Sequence, residues 1–340
     1  MNILRDELCE WVAKYNDRIA ISYRRDDDVV DVSYRELVSA IFTLERMLRK
    51  DAKERVAIIG ENSFQWFCYF YASILAGKQT LVCDMLLPLN EMSDVLRIMN
   101  VEKVFLSPEL SGLDAELKSV NEALDVEFFK EERVEITDDA DCEYEEGKIL
   151  CTTSGTTAKA KGVVIGTEAF VNNNICLSQV MEGETGDCVY SPLPMHHMYG
   201  VNKTFAFLHK GARVCLGSMR RIEKDIEVFN PDRMLLVPTA VEFLYKRNRL
   251  DSRFKSIVVS GCKCEKRVEE LCKKQGVFLQ NIYGSSESAG GMALNVRENA
   301  IDELSVIPGR EVEIASDGEI LIKTPWLMDG YYHNQEATDK

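Results

Sequence analysis

Between Thr152 and Gly162 the chain packs five hydroxyl side chains, two lysines and two glycines into one short segment: Thr152-Thr153-Ser154-Gly155-Thr156-Thr157-Ala158-Lys159-Ala160-Lys161-Gly162. A loop of this composition can offer backbone N–H groups, hydroxyls and ammonium groups to a polyphosphate, and each contact is strengthened by the ligand's charge. The competing reading is an ordinary Ser/Thr-rich surface loop with solvated lysines. Gly155 to Lys161 has the length of a Walker loop, but Ala160 and Gly162 stand where its second glycine and its Ser/Thr belong. An apolar run, Val163-Val164-Ile165, follows and favours a strand over a helix. A phosphate-loop kinase or ATPase, releasing ADP, therefore stays as a rival.

Two other segments carry chemistry-bearing residues. Leu193-Pro194-Met195-His196-His197-Met198-Tyr199-Gly200 holds two of the four histidines. Adjacent side chains on a strand point apart, and no third ligand is evident nearby, so a metal pair is disfavoured. Asn281-Ile282-Tyr283-Gly284-Ser285-Ser286-Glu287 closes the apolar strand Val277–Ile282. Ligands of open α/β sheets gather at the carboxyl ends of strands, so Tyr, Ser and Glu there suggest a site, against the plainer reading of a strand exit. Cys262, Cys264 and Cys272 have a Cys-x-Cys spacing without a nearby histidine and read as structural thiols.

These segments need a scaffold, and the flanking periodicity describes one. Leu4, Leu8, Trp11 and Val12 recur at helical spacing; Ile19–Tyr23 and Val29–Val32 flank a turn at Asp26–Asp28 as a hairpin. Strands and helices then alternate: helix Tyr34–Leu48, strand Val56–Ile59, helix Ser63–Ala76, strand Thr80–Cys83, helix Asn90–Met99 and strand Val104–Leu106. Later strands are expected at Arg213–Leu216, Met234–Val237 and Ser256–Ser260. Repeated strand–helix units imply an α/β fold with two subdomains of mainly parallel sheets layered by helices. The acidic stretch from Pro108 to Gly147 reads as a solvated connection. The expected organisation is a first α/β subdomain over 1–147, a second with the phosphate loop over 148–299, and a small β subdomain over 300–340.

Bulk properties narrow the function classes. A net charge of -15 argues against a nucleic-acid partner, which needs a basic face. Apolar residues at 46% and charged residues at 29% describe a globular chain. No stretch is long and apolar enough to span a membrane, and no secretory pattern opens the sequence. Eleven cysteines scattered through apolar runs fit free thiols in the cytoplasm.

The loop, the His segment and the Tyr–Glu segment, in this order, resemble the adenylate-forming superfamily of acyl-CoA synthetases, luciferases and peptide-synthetase adenylation domains. The loop resembles that family's signature, Ser/Thr-Ser-Gly-Ser/Thr-Thr-Gly-x-Pro-Lys-Gly, with Thr153, Ser154, Gly155, Thr156, Thr157, Lys161 and Gly162 in place and Ala158 and Ala160 departing from it. Alanine for glycine at 158 implies a stiffer loop. His197 and Gly200 match a Pro-x-x-His-x-x-Gly element bordering the acyl pocket. Val259-Ser260-Gly261-Cys262 resembles a Ser-Gly-Gly segment beside adenine, and Gly318–Tyr332 a Gly-Glu to Gly-Tyr-Tyr stretch with Thr324 for a glycine.

The resemblance implies catalytic roles for Lys161, His197 and Glu287. It implies ATP binding by Thr153–Thr157, Lys161, Gly162, Gly261, Asn281, Tyr283, Gly284 and Ser286, with Tyr283 stacked on adenine, and Mg2+ binding by Thr157 and Glu287. The implied reaction is attack of a carboxylate on Mg-ATP to give acyl-AMP and pyrophosphate, followed by transfer to the thiol of CoA or a phosphopantetheine. No general base is needed, because a carboxylate is already ionised at neutral pH. The acid is expected to be fatty or aryl, since no Asp stands between Leu193 and Thr204 to pair an amino-acid ammonium. The family's catalytic-lysine C-terminal domain is expected to be absent from this chain. A separately encoded domain or an acyl carrier protein is then a partner, and turnover by this chain alone is impaired. The alternatives are a nucleotide- or acyl-binding module without turnover, or an amino-acid adenylation domain.

Overall fold

Short-range signals set the helices. Ser33 and Glu36 form a capping box that opens the helix Tyr34–Arg49, and Ser63 accepts from the Trp66 amide to open Phe64–Leu75. The second helix is buried at every position from Trp66 to Leu75. A helix apolar on all sides has to lie between layers, and this one does. The computed structural model describes residues 2–26, 28–129, 145–153 and 161–339.

Two sheets sandwich that helix together with Ile3–Tyr15, Tyr34–Arg49, Thr167–Val180 and Met198–His209. One has seven strands, in spatial order Gly330–Tyr331, Gly162–Gly166, Lys148–Thr152, Gln79–Val82, Arg55–Ile59, Lys103–Leu106 and Asp125–Phe128. The first three run antiparallel in turn, and the rest are parallel to Lys148–Thr152. The other sheet has nine strands, with five mutually parallel ones, Phe278–Ser285, Ser256–Val259, Arg233–Leu236, Cys188–Ser191 and Arg213–Leu216, at its centre. Side chains alternate across each sheet: Val56 and Ile58 face the shared helical layer, while Ala57 and Ile59 face an outer layer with Met92, Leu96 and Leu117. A third cluster covers the outer face of the larger sheet. The mixed α/β expectation therefore holds, as helix–sheet–helix–sheet–helix layers.

Aromatic rings tie the shared layer together. Trp66 meets Phe70 (5.4 Å between centroids), Phe70 meets Phe170 (6.0 Å) and Phe170 meets Phe205 (5.2 Å). Each such pair adds about 0.5–1.5 kcal/mol beyond burial, and the chain of rings fixes the site-bearing helix Met198–His209 relative to both sheets.

Two features differ from the sequence reading. The stretch after Pro108 is not simply a solvated connection: it forms the helix Leu113–Val120 and the edge strand Asp125–Phe128, which bury Leu117 and Leu124. The acidic residues masked the short apolar period beneath them. Residues 130–144 of that stretch lie outside the described residues. The sheets also cross the expected 147/148 boundary in both directions. The hairpin Ile19–Arg25 and Asp28–Ser33 extends the nine-stranded sheet, whereas Lys148–Thr152 and Gly162–Gly166 belong to the seven-stranded one. Beyond residue 300, Ser305–Val306 edges one sheet, Gly330–Tyr331 edges the other, and Glu311–Ile314 pairs only with Ile320–Lys323.

Candidate active site

In the nine-stranded sheet, Cys188–Ser191 leads outward to Arg213–Leu216 on one side, and Arg233–Leu236 leads outward to Ser256–Val259 and Phe278–Ser285 on the other. The chain order reverses between Cys188–Ser191 and Arg233–Leu236. Such a switch point opens a crevice at the strands' carboxyl ends. A cavity of about 690 Å³ lies there, lined by Leu193 and Pro194 after one strand, Val237 after the other, and Ser260–Cys262 after the third. Gly284–Glu287 and Gly290–Gly291 complete that wall, and Thr152 and Thr153 reach in from the seven-stranded sheet.

Of the residues expected in the site, Thr153, His197, Gly261, Gly284, Ser286 and Glu287 converge on this cavity. Gly261 has φ +85°, a conformation a side chain would strain, and it brings bare backbone to the wall. Ser154, Gly155, Thr156 and Thr157 lie outside the described residues. The base of their loop is a closed hairpin: Thr152 pairs with Gly162, and the Thr153 amide donates to the Lys161 carbonyl (3.1 Å).

Four expected residues are not in the wall. Gly162 is buried, and a Cβ there would sit 2.0 Å from Met99 Cε, so its smallness serves packing. Asn281 is turned away, donating through Nδ2 to the Ile301 carbonyl (3.2 Å). Tyr283 is 45% exposed on its strand. Lys161 places Nζ 4.7 Å from the Tyr331 ring centroid.

Lys161 nonetheless connects to the cavity. Tyr331 Oη donates to Glu287 Oε1 (2.9 Å), and the Met328 amide donates to the Glu287 carbonyl (2.9 Å). Desolvation and the neighbouring Glu287 carboxylate push the Tyr331 hydroxyl up to about 12, so it stays a donor at neutral pH. The segment from Met328 to Tyr332 also bonds back to Val164 and Gly162, which clamps the phosphate-loop hairpin to the Glu287 loop.

Sequence reasoning missed three participants. Asp84, after the strand Gln79–Val82, reaches His196 Nε2 (3.3 Å), and Asp84, His196 and His197 bring ligand-type atoms within 4.8 Å of one another. The third ligand that the local sequence lacked is thus 112 residues away. Burial, then the adjacent His197, lowers His196 to about 4 against the opposing pull of Asp84. Partial loss of solvent likewise lowers His197, although its side chain is exposed towards the cavity, so both imidazoles are neutral at pH 7. Tyr199 donates to the carbonyls of Leu236 and Val258 (3.1 and 2.9 Å), fixing the helix on the switch point. Lys203, one turn further along, lines the cavity while only 2% exposed. Its signal was a lone cation just before the apolar run Phe205–Leu208, a residue type almost never buried without a partner.

A carboxylate and the base of a Ser/Thr-rich hairpin thus meet at the switch-point crevice, the place where open α/β sheets hold their ligands. The chain belongs to the AMP-binding enzyme family, whose match spans residues 8–332. It is 25% identical over 323 residues to 2-succinylbenzoate–CoA ligase of Listeria monocytogenes, covering 91% of this chain and 66% of that protein. The chain spans just under two thirds of the length of such curated relatives. Among solved structures, the inhibitor-bound N-terminal domain of FACL13 from Mycobacterium tuberculosis superposes with a TM-score of 0.87 at 18% identity, over 100% of this chain and 93% of that one. O-succinylbenzoate coenzyme A synthetase from Bacillus subtilis, solved with ATP and a magnesium ion, gives 0.81 at 19% identity over 98% and 73%. At these identities the structural likeness shows the fold.

Proposed function

We propose that this chain binds Mg-ATP and a carboxylic acid in the switch-point cavity and forms the acyl-adenylate, the acyl group then passing to the thiol of coenzyme A. The observation that carries this reading is the convergence of Thr153, His197, Gly261, Ser286 and Glu287, from four separate segments, on one cavity of about 690 Å³. That volume suits a nucleotide and a small acid side by side, within the usual range for ligand pockets.

The donor set fits magnesium. Glu287 is a cavity carboxylate with one oxygen held by Tyr331 and the other without a protein partner among the described residues. Glu287 would hold the ion together with Thr157, and a bound magnesium ion would neutralise polyphosphate charge. Neutral His197 adds no charge to the crevice and acts as wall for the acid. Lys161, whose Nζ lies over the Tyr331 ring, is the cation assigned to the phosphates in this reading, supported by the Tyr331 bond to Glu287.

An aryl acid is preferred to a fatty one, a choice supported by the substrate named for the Listeria relative. A separately supplied C-terminal domain or a carrier protein remains a proposed partner. The ten described cysteines are all free, which supports a reducing compartment such as the cytoplasm. Among the described residues no helix is long and apolar enough to cross a membrane.

Calorimetry tests the reading: Lys161→Ala and Glu287→Gln should each weaken Mg-ATP binding at least tenfold, more so at low salt. Wild-type affinity in both variants would place the nucleotide elsewhere.

A further inference from the structure

Among the described residues Lys78, Lys103 and Lys203 are buried and Lys210 is half-buried, and all but Lys203 are satisfied. Lys103 Nζ meets Asp51, Asp125 and Glu127. Lys78 Nζ donates to the Asp51 carbonyl, and Lys210 Nζ to the carbonyls of Ser178 and Met181. Lys203 is the exception. Buried to 2% exposure on the helix Met198–His209, it has no hydrogen-bond or carboxylate partner among the described residues, only the Tyr199 ring 5.5 Å from Nζ.

Its surroundings sharpen the anomaly. The charged group that acts on it is a second cation, Arg310, itself buried and bonded to neutral oxygens of Pro308 and Asn173. Burial, then Arg310, lowers Lys203 to about 7, with no carboxylate offsetting them. The other titratable side chains lining the cavity are His197, which is neutral, Glu287, which accepts from Tyr331, Tyr199, whose hydroxyl donates to two carbonyls, and Cys262. Opposite Lys203 stands Gly291, where a Cβ would come within 3.5 Å of Nζ, so the missing side chain keeps space open beside the ammonium group. An isolated buried charge is costly unless something pairs it, and this one faces an open cavity.

We propose that Lys203 is the specificity-determining cation of the acid pocket and that the acid carries a second carboxylate, remote from the one that is activated, which pairs with it. This rests on the acid-activating reading above and narrows it. A purely apolar tail would leave the ammonium desolvated without compensation, and a substrate ammonium would be repelled. The first consequence disfavours a simple fatty acid, and the second an amino acid.

The test is calorimetric, on wild type and Lys203→Met in the presence of AMP, with matched acids: octanedioate against octanoate, and 2-succinylbenzoate against 4-oxo-4-phenylbutanoate. Wild type should bind at least one diacid tenfold or more tighter than its single-carboxylate match, and Lys203→Met should erase that preference. Methionine keeps the length of the stem and removes only the charge. A second readout needs no variant. An anion raises the lysine's pKa on binding, so at pH 8 the diacid should bind with proton uptake, seen as a dependence on buffer ionisation enthalpy, and the single-carboxylate acid without it. Diacid affinity is then greatest below pH 7 and falls above it.

Equal binding of both acid types, a preference that survives Lys203→Met, or weaker binding of AMP alone in that variant would overturn the assignment. Failure of AMP itself to bind wild type would overturn the ligase reading and this inference together, whereas AMP binding without a diacid preference overturns this inference alone.

Discussion

Replacing Lys203 by methionine should stabilise the fold at neutral pH, and the size of the effect follows from its environment. The unfolded lysine keeps its usual value, 10.5, whereas the buried one falls to about 7. At about 1.4 kcal/mol per pH unit, holding the charged form in the fold costs about 5 kcal/mol at pH 6. Because the folded value is the lower one, this cost is complete below pH 7. It shrinks as pH rises from 7 towards 10.5, where the unfolded chain also loses its proton, and at pH 9 about 2 kcal/mol remains. The stability of wild type relative to Lys203→Met should therefore climb by about 2–3 kcal/mol between pH 6 and pH 9. Urea unfolding of both proteins across that range measures it, and the difference between them cancels every other titrating group. A flat difference curve would refute the picture of an uncompensated buried cation.

Three further outcomes are expected. Gly200→Ala would bring a Cβ within 2.6 Å of the Pro194 carbonyl oxygen, a backbone atom that cannot swing away; a loss of about 2 kcal/mol in urea unfolding is expected, and an unchanged midpoint would contradict the packing described. Since His196 and His197 lie below their usual value, the unfolded chain binds protons first on acidification, and stability should fall as pH drops from 6.5 towards 4; His196→Gln should show a shallower fall, and equal slopes would count against it. Tyr331→Phe removes the hydroxyl from Glu287 but leaves the carboxylate, so its Mg-ATP affinity by calorimetry should lie between wild type and Glu287→Gln; a loss larger than that of Glu287→Gln would mean that Tyr331 meets the nucleotide itself.

Signals acting over a few residues were legible in the sequence. The helical spacing of Tyr34–Leu48, the apolar helix Ser63–Ala76 and the strand–helix alternation each place an element within a residue or two of its observed bounds. The site residues at strand ends, Gly261 and Gly284–Glu287, were legible for the same reason: carboxyl ends of parallel strands share one edge. What was not legible depends on distant partners. Nothing near His196 announces Asp84, and nothing near Glu287 announces Tyr331, 44 residues on. Tyr283 is exposed on its strand and outside the cavity wall, just before a register irregularity at Gly284 that no local pattern announces. Lys203 went unread, because its meaning depends on the lack of a carboxylate partner among the described residues around it.

The opening hairpin has a consequence in time as well as space. Ile21 pairs with Val214, about 190 residues later in the chain. During synthesis at roughly 5–20 residues per second, Ile19–Arg25 waits roughly 10–40 s with one edge unpaired before its neighbour exists. An apolar strand edge exposed for that long is a template for wrong partners. The closing strand Gly330–Tyr331, which completes the other sheet, makes maturation a late and nearly simultaneous event for both halves.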